Sequence, residues 1–146
     1  MPDTLYPVFD TPAADPTLAV VQRYKPSPMF DFDTGDFVRD GANRVVMCDG
    51  AAAYKLWCQK ILKTQKGACL AYIDVGIDRE QATAQPTRQA AQSAFERTIT
   101  QALLMHPCTQ RVKDFSFFWT ADTLKITFTV KARDIAAFTV SLDVVT

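Results

Sequence analysis

The sequence predicts an α+β domain in which a small antiparallel sheet packs against two helices, and three observations support this fold class. Apolar residues recur with a helical period in two segments, at 51–63 and 86–105. Three later segments alternate between apolar and polar residues, which is the pattern of half-buried strands. Short connections join these strands, so they predict a C-terminal three-stranded meander.

An N-terminal hairpin is predicted from alternating Phe and Asp residues. The run Phe30-Asp31-Phe32-Asp33 followed by Thr34-Gly35 predicts a strand that enters a turn, and 43–47 predicts the returning strand. Asp49 or Gly50 then caps the first helix, which is predicted at 51–63.

Helical spacing identifies the core-facing residues of both helices. In the first helix they are Ala53, Leu56, Trp57 and Ile61. Between the helices, the apolar run 68–75 predicts a strand, and the polar run 78–86 predicts an irregular connection. The second helix takes Pro86 in its first turn and stops before Pro107. Its predicted core residues are Ala91, Phe95, Thr98, Ile99, Ala102 and Leu103.

Period-two patterning assigns one apolar face to each of the three C-terminal strands. Because successive side chains of a strand point to opposite faces, residues of equal parity face the same side. The second helix is expected to cover this apolar side of the sheet. Its members are Phe115, Phe117 and Trp119; Leu124, Ile126, Phe128 and Val130; and Phe138, Val140, Leu142 and Val144.

Prolines divide the chain into an extended arm at 1–29 and a single α+β domain at 30–146. Six of the eight prolines lie in the first 28 residues, where each removes a backbone donor and favours extended conformations. The arm also carries apolar side chains, which suit a strap laid over its own domain or a neighbour. We therefore expect the arm to serve assembly more than folding.

Composition limits the classes of partner. The 16 basic and 16 acidic residues leave no net charge, so we expect neither nucleic-acid nor membrane binding. The N-terminus shows no secretory pattern, and the chain is expected to remain in the cytoplasm. The four cysteines lack the close pairing of a zinc site, so we expect buried free thiols and no metal or cofactor.

Catalytic motifs are weak in this sequence. Asp33-Thr34-Gly35 spells the aspartic-protease tripeptide, but Asp36 would crowd a third carboxylate into such a site, and an exposed turn is the simpler interpretation. His106 is the one histidine, and its place at the end of the second helix indicates a structural role. We therefore expect that the protein is not an enzyme. The catalytic alternative is a small hydrolase that uses Asp33 or His106.

From Phe30 onward the order of motifs is distinctive. It resembles the wedge subunits of contractile phage-tail baseplates and related injection particles, especially the branch found in PBSX-like prophages. The residues that carry the resemblance are 32–37, Asp49-Gly50, Lys55, Trp57, Lys60, Leu62, Thr64, Tyr72, Gly76, 102–104, Pro107, Val112, Phe115 and 126–130.

The resemblance implies a structural subunit that links wedge and hub, nucleates the sheath and belongs to a ring in the assembled tail particle. Its implied partners are other wedge proteins, the sheath protein and the hub or tube proteins. The wider family carries a Glu-Pro-Arg motif after the second helix; here His106 replaces Glu, Pro107 matches and Arg111 stands displaced. These three residues, with Asp33, Gly35 and Trp57, are the candidate assembly residues.

Two features suit assembly by strand addition. The last predicted strand leaves an unpaired edge at 139–145, and the proline-rich arm is an extended segment. A tail adaptor or binding module outside the wedge is the alternative that these features leave open.

Overall fold

The structure is a computed structural model that describes residues 24–146, so most of the predicted arm, at 1–23, lies outside the described residues. The described elements confirm the α+β class and add a short helix to the two that were predicted. In chain order they are β1 (Ser27–Pro28), β2 (Phe30–Asp31), β3 (Asp36–Phe37), β4 (Met47–Cys48), α1 (Gly50–Lys63), a 3₁₀ turn (Leu70–Tyr72), α2 (Arg79–Thr83), α3 (Arg88–Leu104), β5 (Thr109–Trp119), β6 (Thr123–Ala132) and β7 (Ile135–Val145).

The predicted C-terminal meander is confirmed. Its strands are antiparallel and lie in the order β5-β6-β7, so β6 is central and is hydrogen-bonded on both sides. The apolar side chains of β6 form the middle of the core. They are Leu124, Ile126, Phe128 and Val130, each 0% exposed.

Helix α3 lies against the sheet and supplies the second layer of the core. It begins one residue after Thr87, whose hydroxyl accepts a hydrogen bond from the Ala90 N–H at 3.1 Å. Pro86 therefore precedes the helix, and its predicted place in the first turn is wrong. Thr98 is only partly buried, and its hydroxyl accepts a hydrogen bond from the Asp78 N–H at 2.9 Å.

Helix α1 is buried on two sides, whereas the sequence pattern predicted one core-facing side. Ala53 and Leu56 pack with Phe30, Phe32 and Cys48 in a small separate cluster. The opposite side of α1 enters the main core, and the predicted core residue Trp57 is only half-buried at its boundary. The residues that α1 contributes to the main core are Tyr54, Cys58, Ile61 and Leu62.

The strand predicted at 68–75 is wrong; this segment is a loop that contains the 3₁₀ turn. Backbone bonds close the loop at its base, where the Ile77 N–H donates to the Thr64 carbonyl at 3.0 Å. Gly76 has φ 109°, and a Cβ there would lie 2.4 Å from the Thr64 oxygen, so the closure requires glycine. Within the predicted irregular connection 78–86, residues Arg79–Thr83 are helical, and the Asp78 carboxylate caps this helix through the Gln81 N–H at 3.1 Å. Residues 84–86 are irregular, as predicted.

The predicted N-terminal hairpin is present but tighter than expected. Strands β2 and β3 pair directly, and the left-handed Gly35, with φ 73°, lies in the turn between them. The predicted return at 43–47 is therefore wrong as a partner for β2. Instead, Val45 forms an isolated bridge with Arg39, and β4 pairs with β1.

The last residues of the predicted arm pack on the domain. Tyr24 is 2% exposed, and its hydroxyl donates to the carbonyl of Arg133. Strand β1 is bound to the domain by backbone pairing with β4 and by a hydrogen bond from Lys60 Nζ to the Ser27 hydroxyl at 3.3 Å. The interval 24–29 is thus an extended segment that begins in the core of the domain and continues over its surface.

Candidate functional site

The outer edge of β7 is the first candidate assembly surface. Among the described strands, β7 pairs with β6 alone. Its pairing is uninterrupted from Phe138, opposite Val130, to Val145, opposite Thr123. A sheet edge of this kind carries a row of backbone donors and acceptors with which another strand can pair.

The register identifies which backbone groups of β7 point outward. The Thr146 N–H donates to the Asp122 carbonyl at 3.0 Å, which makes Val145 and Thr123 a pair without mutual hydrogen bonds. Hydrogen-bonded and non-hydrogen-bonded pairs alternate along an antiparallel ladder. The residues of β7 whose N–H and C=O groups face away from β6 are therefore Thr139, Ser141, Asp143 and Val145.

The other edge of the sheet is less suited to pairing. Strand β5 has register shifts at two places, and Asp114 within it has φ 59°. Arg111 and Lys113 add charge to the same strand, and both are exposed. Bulges and charged side chains hinder pairing at a sheet edge. Within residues 24–146, β7 is therefore the open edge of the sheet and β5 the protected one.

The second candidate surface is a groove of about 410 Å³ beside the end of α3, which we call the aromatic groove. It brings together His106 and Pro107 from the α3–β5 turn and Trp57 from α1. The remaining lining comes from α1 and from the segment that begins at Tyr24. These residues are Tyr24, Lys25, Pro26, Ser27, Ala53, Tyr54 and Lys60.

His106 lines the aromatic groove and lies among three aromatic rings. Its ring centroid lies 4.8 Å from that of Trp57, 5.1 Å from Tyr54 and 5.8 Å from Tyr24. Its Nδ1 accepts a hydrogen bond from the Cys108 N–H at 3.1 Å, which places the proton of the neutral ring on Nε2. Burial lowers the pKa of His106, because the charged imidazolium loses water there.

Tyr54 joins the aromatic groove to the core. Its hydroxyl forms a hydrogen bond with the Thr109 hydroxyl at 2.5 Å, and Thr109 is itself buried. Burial raises the pKa of Tyr54, and it raises the pKa of Cys58, one turn further along α1, to about 12. Both groups are therefore neutral at physiological pH and act as packing residues.

The sequence-predicted assembly residues separate into different places. Of the motif residues, His106 and Pro107 line the aromatic groove together with Trp57, whereas Arg111 is exposed on β5 and forms no ion pair within residues 24–146. Asp33 and Gly35 lie in the β2–β3 hairpin, and Asp33 lines a different groove from His106. The tripeptide and the histidine thus do not share a site.

Sequence reasoning missed Tyr24 and Tyr54, which complete the aromatic groove. Tyr54 is spaced four residues before Cys58 and seven before Ile61, so helical periodicity carried the signal for it. Tyr24 lies among prolines in the predicted arm, and no periodic pattern there indicates burial.

The cysteines do not form a site of their own. All four are free thiols; Cys48, Cys58 and Cys108 are buried as expected, whereas Cys69 is exposed, so the expectation of a buried thiol is wrong there. Cys69 differs because it lies at the start of the 3₁₀ turn, in the loop that replaces the predicted strand.

Two kinds of site are absent from the part of the chain that the structure describes. Residues 24–146 contain no group of three or more His, Cys, Asp or Glu side chains placed to hold a metal ion. No helix within the same residues is long and apolar enough to cross a membrane.

Over residues 24–146 the α+β domain has an open sheet edge at β7 and an exposed apolar groove, which are features of a subunit that acts by assembling with other proteins. The profile of the contractile injection system sheath initiator family matches residues 27–136, which is most of the chain. The chain therefore belongs to this family, whose role is structural and concerns initiation of the contractile sheath. No curated protein matches the chain.

Proposed function

We propose that this protein is a baseplate wedge subunit that nucleates the sheath by accepting a strand from a sheath subunit at the outer edge of β7. The observation that carries the proposal is the row of outward backbone groups at Thr139, Ser141 and Asp143. From Phe138 to Val145 this edge has no register shift and no proline. These properties favour addition of a fourth strand to the sheet.

The energetics favour a strand over a side-chain contact at this edge. The N–H and C=O groups of Thr139, Ser141 and Asp143 alone offer up to six main-chain hydrogen bonds, each with a net contribution of roughly 0.5–1.5 kcal/mol. Main-chain bonds depend little on the sequence of the incoming strand. Selection of the correct strand must therefore come from side chains near the edge.

We assign the attachment to the wedge and hub to the aromatic groove. The groove combines a mainly apolar lining with the exposed Pro107 and with Lys25 and Lys60. Its place after α3 coincides with the Glu-Pro-Arg motif of the wedge subunits that the sequence resembles, including the PBSX-like branch. In this proposal the subunit assembles in the cytoplasm and becomes part of a ring in the baseplate, with one surface toward the wedge and the β7 edge toward the sheath.

Substitution of Ser141 tests the strand-addition proposal. The Ser141 N–H points away from β6, so Ser141→Pro removes an outward donor and leaves the bonds to β6 in place. Ser141→Ala is the matched control, because it removes the side-chain hydroxyl and keeps the N–H. We expect Ser141→Pro to fold, with a melting temperature within a few degrees of the parent, and to abolish sheathed particles in electron micrographs.

The control variant should support normal particles. Normal sheath assembly with a folded Ser141→Pro protein would contradict strand addition at β7. Loss of particles with both variants would instead assign the effect to the Ser141 side chain.

A further inference from the structure

A second groove, of about 400 Å³, lies beside the outer edge of β7; we call it the acidic groove. Strand β7 contributes Ser141, Leu142 and Asp143 to its lining, and the β2–β3 hairpin contributes Asp31 and Asp33. The acidic groove is thus continuous with the edge at which we place the incoming strand. Its apolar lining comes from Phe30, Phe32, Leu62 and Leu142.

The carboxylates of the acidic groove are not neutralised within the described chain. The two ion pairs among residues 24–146 lie elsewhere, at Arg44–Asp40 and Lys113–Asp114. Asp31 accepts a hydrogen bond from the Asp33 N–H at 2.9 Å, and this bond lowers the pKa of Asp31. The carboxylate of Asp31 is therefore ionised over the physiological pH range.

The cations that line the acidic groove have other contacts. Lys63 Nζ lies 5.4 Å from the centroid of the Phe32 ring, in a cation–π arrangement. Arg79 donates to the Leu62 carbonyl, and its Nε is enclosed by protein. Neither cation forms an ion pair with Asp31 or Asp33, and the three lining aspartates, Asp31, Asp33 and Asp143, outnumber the two cations. The groove therefore carries a net negative charge beside an apolar surface.

We propose that the strand added to β7 places a lysine or arginine side chain in the acidic groove, and this inference rests on the strand addition proposed above. A long basic side chain fits both parts of the lining: its methylene stem covers Phe32, Leu62 and Leu142, and its charged end meets the carboxylates. The same contact fixes the register of the incoming strand, because a slip by one residue turns that side chain to the opposite face of the sheet.

The experiment measures binding of the purified cognate sheath protein to the immobilised subunit by biolayer interferometry. The test variant is Asp31→Asn with Asp33→Asn, in which the amide oxygen at position 31 retains the acceptor for the N–H of residue 33. The matched control is Asp36→Asn with Asp122→Asn, which removes the same charge from residues that do not line the acidic groove. Ser141→Pro is measured alongside as the test of the edge itself.

We expect the test variant to raise the Kd by roughly fivefold to tenfold, as two exposed ion pairs allow, and to weaken its dependence on salt. The control should bind as the parent does. If Ser141→Pro abolishes binding while the test variant binds like the parent, the inference about the acidic groove is overturned and strand addition stands. Tighter binding by the test variant overturns it as well, since the incoming side chain would then be acidic. Unchanged binding by Ser141→Pro contradicts the proposed function itself.

Discussion

Replacement of Tyr24 tests whether the segment before β1 belongs to the folded domain. Tyr24 is 2% exposed, its ring packs edge-on against Tyr54 at 5.5 Å, and it stacks with His106 at 5.8 Å. Its hydroxyl also donates to the Arg133 carbonyl. Tyr24→Ala removes all of these contacts, whereas Tyr24→Phe removes the hydroxyl and keeps the ring.

The two variants should differ clearly in the free energy of unfolding. Truncation of a buried aromatic side chain to alanine costs about 3–5 kcal/mol, so Tyr24→Ala should lower the melting temperature by on the order of 10 °C in a domain of this size. In Tyr24→Phe, loss of one hydrogen bond costs about 1 kcal/mol, because the Arg133 carbonyl belongs to an exposed residue and can bond to water instead.

Urea denaturation followed by circular dichroism gives the free energy of unfolding of both variants. Deletion of residues 2–26 should cost at least as much as Tyr24→Ala, since it removes the same side chain. A midpoint of Tyr24→Ala equal to that of the parent would refute the reasoning, and the interval 24–29 would then be a detachable part of the arm.

Three further predictions concern the cysteines, His106 and Gly76. In native protein only Cys69 of the four cysteines should react rapidly with a thiol reagent, because it is exposed and the others are buried; rapid labelling of Cys58 would contradict its placement. The pKa of His106 is lower in the folded than in the unfolded protein, so its contribution to stability is complete above about pH 6.5 and is lost as the pH falls below that value. His106→Asn should therefore reduce the loss of stability at low pH, as measured by urea titrations. A pH profile of stability equal to that of the parent would contradict this prediction. Gly76→Ala should cost about 2 kcal/mol or more, because its Cβ would meet the Thr64 oxygen at 2.4 Å and its φ is 109°; an unaltered midpoint would show that the loop adjusts freely.

The sequence predicted the elements whose signals are local and periodic. The alternation of Leu124, Ile126, Phe128 and Val130 predicted the central strand, because a strand buried on one face needs an apolar residue at every second position. The end of α3 before Pro107 was predictable for a similar reason, since proline lacks the donor that would continue the helix.

Other features depend on contacts between distant segments and could not be predicted from local patterns. The run 68–75 is apolar, but its backbone bonds to its own loop, and Leu70 is 91% exposed. The burial of Tyr24 depends on Tyr54 and His106, which lie far along the chain. Which backbone groups of β7 point outward likewise depends on the hydrogen-bonded pairing with β6, which the local alternation of apolar residues does not reveal.

Hydrogen exchange at single residues of β7 tests the central claim most directly. In the free protein the outward N–H groups of Thr139, Ser141 and Asp143 should exchange rapidly, while those of Val140 and Leu142, which bond to β6, exchange slowly. If a sheath strand adds to this edge, the outward amides become protected in the complex with the cognate sheath protein and the alternation disappears. Retention of the alternating pattern in a saturated complex would contradict sheath nucleation at β7.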